Sequence, residues 1–108
     1  MPLIKKSNKV IKWPVTISDP EDGGSFGTMQ YTAHFKKVGR KTLEELVQIG
    51  DTNLLEGTVV GWDEMQDEKG DSIPFSVKEL KEWCEDTHFV RGTVKALLTM
   101  LDDAMVKN

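Results

Sequence analysis

Ile11-Lys-Trp-Pro-Val-Thr-Ile17 alternates apolar and polar residues, and Met29-Gln-Tyr-Thr-Ala-His-Phe35 does the same further on. In the first stretch Ile11, Trp13, Val15 and Ile17 fall on one side of an extended chain, with Lys12, Pro14 and Thr16 on the other. A period of two is that of a half-buried strand. Between the stretches, residues 18–27 are dense in Asp, Pro, Ser and Gly, the residues that supply turn geometry. The pattern predicts a β-hairpin over residues 10–36 with a long, mobile tip at residues 19–27. Pro14 has no N–H to give a neighbouring strand, so its strand is expected to sit at an edge or to point that position to solvent. A lone hairpin is only marginally stable in water, so the rest of the chain must cover its apolar face.

Downstream, the period becomes helical. Thr42-Leu-Glu-Glu45 fits a capping box, Leu43, Leu46 and Val47 form an apolar stripe, and Gly50 is a stop. A second helix is expected from Asp51 or Thr52. Leu54, Leu55, Thr58, Val59 and Trp62 recur at helical spacing, with Trp62 closing that apolar face. Residues 63–73 form an acidic connection, expected as a solvated turn centred on Lys69-Gly70, and Pro74 then breaks the chain. Ser76-Val-Lys-Glu79 is a second capping box, with Phe75 and Leu80 placed as a hydrophobic staple and Leu80 and Trp83 facing inward. Val90, Val94, Leu97, Leu98, Leu101 and Met105 mark a last helix over residues 87–105. Gly92 inside it costs about 1 kcal/mol against Ala, unless a close neighbour needs the space. The fold class is therefore α+β, a β-hairpin followed by about four α-helices in a small helical domain. Residues 1–9 read as a flexible arm and 10–108 as a single domain, with its helical part at 42–106.

Composition narrows the function. The 108 residues carry 14 Lys and Arg against 18 Asp and Glu, a net charge of −4, which argues against a nucleic-acid binder. The basic cluster Lys5, Lys6, Lys9 and Lys12 reads as a solvated tail. Cys84 is the single cysteine, so no internal disulfide can form. No apolar run reaches the length of a membrane span, and the start of the chain lacks the apolar core of a signal peptide. A reducing cytoplasm is the expected compartment.

Residues for chemistry are few. Cys84 and His88 are four apart and would align on one helix, but no oxyanion loop or orienting group accompanies them. Zinc needs about four ligands, and no second Cys or His pair is present. In the loop from Asp63 to Asp71, aligning Gly70 with the glycine of a calcium loop puts Met65 and Ser76 where acids are required. No catalytic residue, metal or cofactor is expected. Trp13, Trp62 and Trp83 all stand at apolar positions, where core packing is the first reading and an interface anchor the second. Leu55 and Trp62 are the expected protein-interaction residues, and self-association through apolar positions left on the helices is expected with them.

Val59-Val-Gly-Trp-Asp-Glu-Met-Gln-Asp-Glu-Lys-Gly-Asp-Ser-Ile-Pro-Phe-Ser76 resembles a pattern in the tail assembly chaperones of long-tailed bacteriophages. That pattern is an apolar helix end, Gly-Trp, an acidic turn, then Pro-Phe-Ser opening a new helix. The strands ending Pro14-Val-Thr-Ile17 and Thr32-Ala-His-Phe-Lys36 also look similar, so the resemblance spans about residues 10–105. It implies a protein that binds the tape-measure protein, keeps it soluble and helps recruit the major protein of the tail tube in the host cytoplasm. Family binding surfaces are spread over helices, so the resemblance assigns no individual residue. The alternative is a small phage-encoded regulatory or inhibitory module that binds a host protein.

Overall fold

The computed structural model describes residues 9–106, with side chains described as far as Leu101. The arm expected at the N-terminus lies outside the described residues except for Lys9. In chain order the elements are β1 (Val10–Pro20), β2 (Phe26–Lys36), α1 (Arg40–Ile49), α2 (Asp51–Thr58), β3 (Val59–Asp63), α3 (Val77–Trp83) and α4 (Thr87–Val106). The α+β class holds. The hairpin, however, is two-thirds of a three-stranded antiparallel sheet in the order β1-β2-β3.

The β1–β2 ladder runs without a break from Val10 opposite Lys36 to Pro20 opposite Phe26. The tip is therefore residues 21–25, much shorter than the alternation implied. It is closed by the Glu21 N–H on the Ser25 carbonyl (2.9 Å), with Gly23 and Gly24 at positive φ. The Lys37 N–H bonds the Lys9 carbonyl, which makes Lys9 and Lys37 a hydrogen-bonded pair. Counting in twos, the odd-numbered residues of β1 bond β2, and the even-numbered ones turn their backbone groups to the open edge. Pro14 and Pro20 both fall in the even set. Each stands where β2 asks for no N–H, and each removes a donor from an edge that could otherwise pair with another chain.

β3 is the correction to the helical reading of Val59 and Trp62. Thr58 Oγ1 donates to the Leu54 carbonyl at 2.7 Å and the helix stops there, and two β-branched valines follow. Trp62 then pairs with Ala33 and Val59 with Phe35, across an irregularity between His34 and Phe35. That bulge turns Val59 and Trp62 inward together although they are three apart, and leaves Val60 exposed. A bulged strand thus imitated a helical spacing. The stretch that resembles a helix end in phage chaperones is a strand here.

α1 also starts differently. Its first residue is Arg40, with Gly39 at the N-cap and no side-chain cap, so Thr42 and Glu45 lie inside the helix. Leu43 and Leu46 pack on the core while Val47 faces solvent.

Val15, Ile17, Tyr31, Ala33 and Phe35 line the inner face of the sheet, and Leu54, Leu55, Leu80, Phe89 and Leu97 cover them from the helices. α4 comes very close to β1. A Cβ on Gly92 would stand 2.7 Å from the Thr16 carbonyl oxygen and 2.7 Å from Ile17 Cδ1, so a close neighbour does need the space. One residue on, the hydroxyls of Tyr31 and buried Thr93 share a 2.7 Å hydrogen bond between β2 and α4. Burial pushes the Tyr31 phenol up, against the opposing pull of that bond, so it stays protonated and able to donate. Tyr31→Phe leaves the Thr93 hydroxyl buried without its partner and is expected to cost about 1–3 kcal/mol in denaturant unfolding.

Candidate docking surface

Two local structures fix the helices that carry the surface. Ser76 Oγ accepts the Glu79 N–H at 3.0 Å, the cap expected from the sequence, and the Phe75 ring meets Trp62 edge-on at 4.8 Å. At the next corner, Asp86 Oδ1 accepts the N–H groups of His88 (2.9 Å) and Phe89 (3.3 Å), opening α4. That cap stands between Cys84, which caps the end of α3, and His88 in α4, so one helix does not carry both. Burial pushes the Cys84 thiol up, and the Glu56 and Glu85 carboxylates add to the shift. The thiol is thus disfavoured as a thiolate, the opposite of an activated nucleophile.

His34 lies on the outer sheet face, its Nε2 2.9 Å from Asp63 Oδ2. That hydrogen bond, opposed by desolvation and assisted by the charges of His34 and Lys12, holds the Asp63 carboxyl below its usual range. The acidic loop forms the expected turn: Asp67 Oδ1 accepts the N–H groups of Lys69 (2.9 Å) and Asp71 (3.0 Å), and Gln66 bridges Ser72. Its carboxylate therefore organises backbone.

Asp19, Asp86 and His88 bring ligand atoms within 4.8 Å of one another at the start of α4. They are the donors that could hold a divalent ion. The same arrangement suits two carboxylates drawn to a helix N-terminus.

The structure places the two expected interaction residues inside. Leu55 is 0% and Trp62 7% exposed, and the Trp62 indole N–H donates to the Ile73 carbonyl at 2.8 Å. Both belong to the core, so neither side chain is presented to a partner in this fold. Exposed apolar surface lies elsewhere, at Phe26, Val47, Ile49 and Leu98 among others.

The solvent side of α4 organises part of it. Arg91, Lys95 and Thr99, at i, i+4 and i+8, form a crest with a groove on each flank. On the β1 flank a groove of about 420 Å³ runs past Trp13, Pro14, Thr16 and Phe26. On the other flank one of about 530 Å³ lies between Val90, Val94 and Leu98 and the start of α2 at Asp51. Two residues before Asp51, Ile49 is 65% exposed. Sequence reasoning passed over the crest because charged residues at helical spacing usually mark no more than the solvent face. Only the fold shows which apolar side chains flank it.

Among the described residues, no helix is long and apolar enough to cross a membrane. Compared with protein-family models, curated proteins and solved structures, the chain matches none.

Proposed function

We propose that this chain is a phage tail assembly chaperone, a binding protein rather than an enzyme, which holds the tape-measure protein in the host cytoplasm and helps recruit tail tube protein. The resemblance over residues 10–105, apart from the helix end that the strand β3 replaces, supports the role. The observation that carries a binding mode is the groove formed by Val90, Val94 and Leu98 beside the basic crest of Arg91 and Lys95. Apolar side chains four apart along one wall suit an amphipathic helix laid into a groove, and the flanking cations suit acids on that helix's edge. A tape-measure protein is long and helix-rich, so it offers such segments repeatedly.

Leu98 is 40% exposed, so a charge there can be hydrated in the free protein but not beneath a bound helix. Leu98→Glu is expected to weaken binding of tape-measure fragments by at least about tenfold, the loss of one interface anchor, with thermal unfolding nearly unchanged. Calorimetric titration with the wild type and the variant measures this. Equal affinities would remove the groove from the proposal, and wild-type binding to a host protein but to no tape-measure fragment would favour the inhibitory module instead.

A further inference from the structure

We propose that the groove between β1 and α4 takes an extended acidic segment of a partner protein, with carboxylates two residues apart and an apolar side chain at each end. The groove lies on the other flank of the crest from the one assigned to the tape-measure helix, and the inference does not depend on that assignment. Charge left open along the groove carries it.

α4 runs antiparallel to β1 here. His88 stands beside Asp19, and Gly92 stands against Thr16 and Ile17, so Trp13 falls toward Thr99. From His88 to Thr99 the helical wall is about 16 Å long. An extended chain spans that length in about five steps of ~3.3 Å.

Arg91 and Lys95 are exposed on the α4 wall, and among the described residues neither lies within ion-pair distance of a carboxylate. In a chain with 18 acids against 14 bases, two adjacent cations without partners make a positive site on a negative background. Four residues of helix rise about 6 Å, and two residues of extended chain about 6.6 Å. Carboxylates at alternate positions of an extended segment therefore reach both cations at once. Thr16 and Ser18, also alternate residues, offer hydroxyls from the β1 wall at the same repeat.

Exposed ion pairs contribute little on their own, so the apolar ends must anchor the segment. Phe26, 62% exposed, stands by His88 with ring centroids 6.4 Å apart, and the partly buried Trp13 stands at the far end. Asp19 and Asp86 gather beyond His88 and repel carboxylates, which keeps the acids of the visitor beside Arg91 and Lys95. A nucleic acid is also anionic, but two cations on a chain of net charge −4 release few counterions, which favours the peptide.

Titration of the isotope-labelled intact chain with the peptide Phe-Glu-Ser-Glu-Ser-Leu, blocked at both ends and followed by amide shifts, tests this with no tape-measure protein present. Saturable shifts should fall on Trp13, Thr16, Ser18, Arg91 and Lys95, and binding should weaken at least about fivefold between about 50 and about 500 mM salt. Arg91→Glu with Lys95→Glu should lose this peptide and bind the one in which lysines replace both glutamates. Ser18→Glu, which sets a carboxylate on the facing wall, should weaken the original peptide at least about fivefold. All three positions are exposed, and matching thermal unfolding would show that both variants fold. A hexathymidylate strand should bind far more weakly than the peptide. Absence of saturable binding, shifts confined to Asp51, Val90, Val94 and Leu98, binding that survives the charge reversal, or hexathymidylate binding as tight as the peptide's would each overturn the proposal.

Discussion

Trp62→Ala is expected to destabilise the domain by about 3–5 kcal/mol, the usual cost of emptying a large aromatic site in a core. The side chain is a pin. Its ring meets Phe75 edge-on at 4.8 Å, and its N–H donates to the Ile73 carbonyl at 2.8 Å. It thereby ties β3 to the segment that leads into α3. Removing it opens a cavity and leaves that carbonyl without the indole donor. Trp62→Phe keeps most of the apolar area and loses the hydrogen bond, so a smaller cost of about 1–3 kcal/mol is expected. Denaturant midpoints measure both. Unchanged stability on Trp62→Ala, accompanied by weaker partner binding, would return Trp62 to the interface role that its residue type first suggested.

The same residue shows where the sequence was and was not legible. Alternation alone predicted β1 and β2, and Pro14 pointed to an edge as one of two readings for β1, because both signals are local. Ser76 was equally readable, since Pro74 and Phe75 break the chain just before the cap. β3 was not. Its inward pair depends on a bulge opposite β2, a non-local event that gave Val59 and Trp62 the spacing of a helix face. The Thr42 box failed differently: Gly39 already begins α1, and nothing local forbids starting earlier. At the candidate surface, Arg91, Lys95 and Thr99 were visible as a helical row. The walls beside them come from β1 and from the start of α2, which only the folded chain brings near.

The second large effect is expected at Gly92. Sequence reasoning put a helix-interior glycine at a cost of about 1 kcal/mol, so Gly92→Ala on an open helix face would stabilise by about that amount. The structure reverses the sign. An added methyl meets the Thr16 carbonyl oxygen at 2.7 Å, and a backbone atom cannot swing aside as the end of a side chain can. α4 would have to lift from β1, disturbing the neighbouring Tyr31–Thr93 bond. Gly92→Ala is expected to destabilise by about 1–3 kcal/mol and Gly92→Val by more. Amide exchange should show the loss first along β1 and α4. A stabilised Gly92→Ala would mean that the two elements do not approach so closely.

The most direct test of the central claim is co-expression of this chain with a tape-measure protein, followed by measurement of the soluble fraction of that partner. A chaperone should shift the tape-measure protein from the insoluble to the soluble fraction and remain bound to it through purification, while Leu98→Glu, folded as well as the wild type, should do neither. A tape-measure protein that stays equally insoluble with and without the wild-type chain would contradict the account.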